Sequence, residues 1–182
     1  DIAALYAESL MNLQPWDYWT NEGEPKGRAD EFVAVLEQAL SDYPQHPGAN
    51  HFYIHAVEAS TNPDRAVAAA ERLTSIVPGS GHLVHMPSHI FIRVGRYAEA
   101  AETNRDAIGA DRSYFELAPP AGFYNLYYGH NIHFLAFAAM MSGQYEDAIA
   151  AARQLEEEIP EAALRELAPV AEGIMPTNFH VL

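Results

Sequence analysis

Residues 81–107 read GHLVHMPSHIFIRVGRYAEAAETNRDA. Apolar residues recur at helical spacing on both sides of Gly95-Arg96-Tyr97, which predicts two helices joined by a turn, the second starting near Ala98. Pro87 falls inside the first of them. Its missing N–H costs little in a first turn and predicts a kink anywhere else. The same segment carries His82, His85 and His89, spaced i, i+3 and i+7. At about 100° per residue these fall within about 60° of one another, so the three imidazoles form one stripe.

The unit recurs. Ala66 in PDRAVAAAERLTSIVP precedes Ala100 in GRYAEAAETNRDAI by 34 residues, and Ala148 in GQYEDAIAAARQLEEEIP follows after another 48. Pro44 and Pro78 are also 34 apart, and Pro160 marks a third end. Gly95-Arg96-Tyr97-x-x-Ala100 and Gly143-Gln144-Tyr145-x-x-Ala148 agree in register with those prolines. A period of 34 with Gly-x-Tyr-x-x-Ala and a closing proline resembles the tetratricopeptide repeat. The departures are Thr61 and Pro63 in place of Gly and Tyr, and Arg112 in place of a closing proline.

The resemblance implies an all-α, right-handed α-solenoid of helix-turn-helix repeats forming a single domain over 1–182. It divides the chain into a distorted unit at 13–46, interrupted by Asn21-Glu22-Gly23-Glu24-Pro25, and repeats at 47–80, 81–112 and 129–162. An insertion occupies 113–128, and a partial repeat, in which Met175-Pro176-Thr177 echoes Met86-Pro87-Ser88, fills 163–182. Ile54, Val57, Leu73, Phe91, Val94 and Ile108 are the expected core, with Trp16 and Trp19 packed over one apolar end. Asp1 already lies in a helical pattern and Leu182 in another, as in a fragment of a longer chain. An array cut short exposes an apolar end, where two chains can pair as a homodimer.

Composition narrows the function. Twenty-five acidic against ten basic residues give a net charge of −15. That argues against nucleic acid and anionic membrane surfaces, which need a basic footprint. No run of 18 apolar residues and no signal peptide is visible. The sequence has no cysteine, which removes disulfides and thiolate ligands and leaves the compartment open.

Counting each repeat from Pro47, Gly81 and Gly129, His51, His85 and His133 occupy position 5, His55 and His89 position 9, and His82 and His130 position 2. Seven of nine slots at these positions are histidine. In the tetratricopeptide family that face lines a concave groove, so the resemblance implies a groove lined with imidazole, joined at position 12 by Glu58. Imidazoles at i, i+3 or i, i+4 can reach one metal ion, because such neighbours lie about 5–6 Å apart at Cβ. Two clusters are expected: His51, His55, His85 and His89 with Glu58, and His82, His85, His130 and His133. Nitrogen ligands with a carboxylate and no sulfur suit Zn²⁺, Cu²⁺, Ni²⁺ or Fe²⁺.

Metal storage, sensing or metal-dependent chemistry is therefore the leading expectation. A scaffold that binds a peptide or small organic ligand in a metal-free groove is the alternative, and histidines with only a structural role remain a third. Arg93 at position 13 is placed to hold an anionic ligand or to pair with Glu58. The aromatic insertion, with Tyr124 and Tyr128, reads as a wall or lid over the groove, or else as packing between repeats. No Gly-x-Ser-x-Gly, phosphate loop, dinucleotide fingerprint or His-Glu-x-x-His occurs, so enzymatic activity would rest on a metal with an open position and Glu58 as base.

Overall fold

The structure, a computed structural model, describes residues 1–119 and 124–159. The described residues are helical and contain no strand, with one isolated bridge between Trp19 and Pro25. The order is α1 (Ile2–Met11), α2 (Ala29–Asp42), α3 (Pro47–Val57), a 3₁₀ turn at Pro63–Ala66, α4 (Val67–Ile76), α5 (Gly81–His85), α6 (Pro87–Arg93), α7 (Tyr97–Phe115), α8 (Tyr124–Met141) and α9 (Tyr145–Glu158).

Local chemistry explains the boundaries. Pro47 opens α3 at a position where its missing N–H is harmless, and the His46 ring accepts a hydrogen bond from the Ala49 N–H as N-cap. Gly95 and Gly143 both have positive φ, +80° and +75°. After each, the next N–H reaches back five residues, Arg96 to the Phe91 carbonyl and Gln144 to the Ala139 carbonyl. That is the Schellman closure, and glycine supplies the left-handed residue it needs. The Thr61 turn lacks this device, so α3 ends at Val57 and the 3₁₀ turn bridges to α4.

The segment expected to be one helix from Gly81 is split. Pro87 has no N–H to give the Leu83 carbonyl, and His89 N–H bonds the Met86 carbonyl one residue short of an α-helical bond. Met86 itself stays in the right-handed helical region, so α6 follows α5 without an intervening loop. Helix extends into the described residues of the insertion from both sides. α7 runs on to Phe115 and α8 begins at Tyr124, five residues before Gly129.

Sequence-adjacent helices pack together, and α3 also packs on α6 and α5 on α8. Those two contacts bring the histidine-bearing helices side by side. A continuous apolar core lies beneath them, with Ile54, Val57, Leu73, Phe91 and Ile108 buried and Val94 packed at its edge. Trp19 packs against this core and donates to the Ala56 carbonyl at 2.8 Å. Trp16 departs from the core expectation: it is 45% exposed and stands at φ +65°. Residues 160–182, and with them Pro160, the partial repeat and His180, lie outside the described residues, as do residues 120–123 of the insertion.

Candidate metal centre

Helix α3 contributes His51, His55 and, at its C-cap, Glu58; α5 contributes His82 and His85; α6 contributes His89; α8 contributes His130 and His133. Because α3 packs on α6 and α5 on α8, seven imidazoles come from neighbouring helices.

Three sets of possible ligands lie close together: His51, His55 and His82; His85, His89 and His130; and His55, Glu58 and His89, which takes one ring from each of the other two. In the first, His51, His55 and His82 offer ligand nitrogens all within 4.8 Å of one another. The Nε2 atoms of His51 and His82 are 3.1 Å apart. In the second, His85, His89 and His130 meet the same limit. There the His89 Nε2 lies 2.9 Å from the His85 Nε2 and 3.5 Å from the His130 Nε2. The third set falls within the first expected cluster, whereas the two histidine triads regroup the rings. His82 joins the α3 histidines instead of His85, while His89 joins His85 and His130. His133 is half-buried and its charge acts on His130, but the second triad is completed by His130.

Neighbouring groups fix how several rings are turned. Glu58 accepts from two histidines at once, the His55 Nδ1–H on Oε1 at 2.8 Å and the His89 Nδ1–H on Oε2 at 2.5 Å. The His85 Nδ1 lies 2.7 Å from the Asn104 Oδ1, and the Asn104 amide nitrogen donates to the Ala100 carbonyl at 2.7 Å. That second bond assigns which end of the amide faces His85, so His85 carries its proton on Nδ1. His55, His85 and His89 therefore present unprotonated Nε2 atoms in their neutral forms. This is the arrangement in which an acceptor behind the ring orients a metal-ligating imidazole. The Nδ1 atoms of His82 and His130 are buried without a hydrogen-bond partner among the described residues.

Burial sets the charge states. His85 is 0% exposed. Loss of hydration pushes His51, His85 and His130 well below the ordinary histidine range, with repulsion among the rings adding to it. Burial also lowers His55, against the pull of its bond to Glu58, and brings His82 down to about 3. Burial opposes charge on Glu58, but attraction to His89 and the ring bonds from His55 and His89 outweigh it, holding this carboxyl well below the usual carboxylate range. Burial thus favours the neutral forms of His51, His55, His82, His85 and His130 beside one carboxylate, and neutral imidazole is the form that binds metal.

Aromatic rings enclose the triads. Phe134 lies 4.8, 4.7 and 4.6 Å from the ring centres of His85, His89 and His130. Trp16 meets His55 edge-on at 4.8 Å, and Tyr127 packs on His82 at 4.7 Å. A bulky residue at positive φ is a backbone outlier costing on the order of 1–3 kcal/mol, of the kind that clusters at functional sites.

The other expected ligand-binding residues face elsewhere. Arg93 donates to the Ser60 carbonyl at 3.2 Å, while both Glu58 oxygens go to histidines. Tyr124 donates to Asp111 Oδ1 at 2.8 Å, and the Tyr128 hydroxyl joins Arg112 and Glu158. Trp16, Phe134 and Asn104 are not among the site residues expected from the sequence, whereas Tyr127 belongs to the aromatic insertion expected to wall the groove. Phe134 carried a usable signal, standing four residues after His130 on the same helical stripe. Asn104 carried none, because its role depends on how α7 docks against α5. Comparison of the chain with protein-family models and with curated proteins returns no match.

Proposed function

We propose that this protein binds a divalent transition-metal ion on His85, His89 and His130, in the hollow between the first helices of a right-handed, tetratricopeptide-like array of hairpins. The reading is carried by the His85–His89 contact. Asn104 and Glu58 take the Nδ1 protons of these two rings, so two nitrogen lone pairs face each other at 2.9 Å. Such a pair is repulsive unless a positive charge lies between them. A shared proton or a metal ion supplies that charge, and the third imidazole nitrogen, of His130 at 3.5 Å from that of His89, favours the metal. Nitrogen ligands about 2.0–2.1 Å from a tetrahedral ion are separated by roughly 3.3 Å, between the two separations found here.

Three imidazoles suit Zn²⁺, Cu²⁺, Ni²⁺ or Fe²⁺, and raw affinity favours copper. Three protein ligands leave one tetrahedral position open, as in catalytic rather than closed structural sites. Storage, sensing and metal-dependent chemistry all use such a site.

Elemental analysis of untagged protein, purified without an immobilised-metal column, tests the reading. Transition metal retained in stoichiometric amount, and lost on His85→Ala, is the expected result. Metal-free protein whose melting temperature does not move with added Zn²⁺ or Cu²⁺ would overturn it in favour of a groove for a peptide or organic ligand, because a ligand of the native state must raise its stability.

A further inference from the structure

The second triad is only half of the histidine cluster. His51, His55 and His82 form another set within the same 4.8 Å limit for their ligand nitrogens, and the two sets abut. Within the first, ring centres are 5.0 Å apart for His51–His55, 5.0 Å for His51–His82 and 6.4 Å for His55–His82. Within the second they are 4.8 Å for His85–His89, 4.7 Å for His85–His130 and 5.5 Å for His89–His130. Between the sets, His55–His89 is 5.3 Å and His82–His85 is 6.4 Å. Rings of different triads are thus as close as rings of the same triad.

One carboxylate serves both. Glu58 Oε1 takes the Nδ1–H of His55 and Oε2 that of His89, leaving the Nε2 atom of one ring for each triad. A carboxylate behind a single mononuclear site needs only one of its oxygens for this purpose. Its symmetrical use fits two sites oriented together. Each triad has one buried ring, His55 in the first and His85 in the second, and two half-buried ones.

We propose that the two triads form a dinuclear centre, deepening the single-site reading above on which it rests. One divalent transition-metal ion sits on His51, His55 and His82 and a second on His85, His89 and His130, with Glu58 as the shared orienting carboxylate. Charge then specifies a third component. Two divalent ions bring four positive charges to six neutral imidazoles, and Glu58 offsets one of them. The open positions on the two ions take a small anionic oxygen ligand, hydroxide in the resting state, formed when a metal-bound water releases its proton to solvent. The ligand class is a small oxygen anion held between the two metals.

Titration with Cu²⁺, read by bound-metal analysis and by the electron paramagnetic resonance intensity per copper, tests the pair. The proposal expects saturation at two equivalents, with intensity per copper falling as the second ion enters beside the first. His51→Ala, at a half-buried ring, should bind one equivalent with full intensity, and so should the milder His51→Gln. Circular dichroism confirms that each variant is folded. Saturation of the unaltered protein at one equivalent, unaffected by His51→Ala and lost in His85→Ala, would overturn the pair and leave the single site standing. One equivalent lost in His55→Ala but kept in both His51→Ala and His130→Ala would place the ion on His55, Glu58 and His89 and overturn both assignments. Two equivalents with undiminished, additive spectra would show ions too far apart for a shared ligand. No bound copper at all would remove the single-site reading as well.

Discussion

The Glu58 Oε2 accepts a hydrogen bond at 2.5 Å from the His89 Nδ1, across two helices and 31 residues of sequence. Its other oxygen holds His55. A glutamine at this position has one oxygen and one NH₂ group, so it accepts from only one of the two rings. Glu58→Gln is therefore expected to weaken metal binding by about 10–100-fold, the usual effect of losing an acceptor behind a ligating imidazole. Competition with a chromophoric chelator measures this. Unchanged affinity would show that Glu58 does not orient the ligands.

Asn104 does for His85 what Glu58 does for His89. In Asn104→Ala the remaining acceptor near the His85 Nδ1 is the Ser88 hydroxyl, at 3.3 Å. Affinity should fall about 10-fold or more. The helical content should be retained, since Asn104 bonds only the Ala100 carbonyl of its own helix besides His85. Chelator competition and far-ultraviolet circular dichroism on the same samples check both halves.

Two glycines predict opposite outcomes. A Cβ on Gly81 would fall on the carboxylate of Asp111, which is buried and held by Tyr124 and Asn131. Gly81→Ala should destabilise the protein by about 1–3 kcal/mol, the cost of overpacking, and disturb α5 with its two histidines. A Cβ on Gly109, exposed in the middle of α7, meets nothing within 4 Å. Gly109→Ala should stabilise by about 0.5–1 kcal/mol. Urea melts compare the two.

The metal-free protein should weaken in acid. An unfolded histidine takes up its proton near pH 6.5, whereas burial holds His51, His82, His85 and His130 neutral far below that, to about pH 3 for His82. Below pH 6.5 the unfolded chain thus binds more protons than the folded one. Stability is complete above that value and is lost as pH falls toward 3, by about 1.4 kcal/mol per pH unit for each histidine that stays neutral. Chelator-treated protein melted in urea at several pH values gives the slope. A flat profile between pH 7 and 5 would contradict the burial of these rings.

The turn glycines and the histidine stripe were legible in the sequence because each depends on residues a few positions apart. Gly95 and Gly143 close their helices identically, and His85 and His89 lie one turn apart on one face. The sorting of the rings was not legible. His82 and His85 share a helix, yet their partners come from α3 in one case and from α6 and α8 in the other. A rotation of about 60° around α5 decides which neighbour each ring meets. The expectation that Trp16 packs in the core rests on its place in an aromatic stretch over one apolar end of the array. Its position over His55 depends on a left-handed backbone that no residue type at that site announces.

The central claim is that these imidazoles converge on metal, and X-ray absorption at the zinc edge of protein loaded with one equivalent of Zn²⁺ tests it most directly. The account predicts about three nitrogen ligands at 2.0–2.1 Å, with the outer-shell scattering that marks imidazole rings. An oxygen-dominated first shell lacking the imidazole pattern would contradict it.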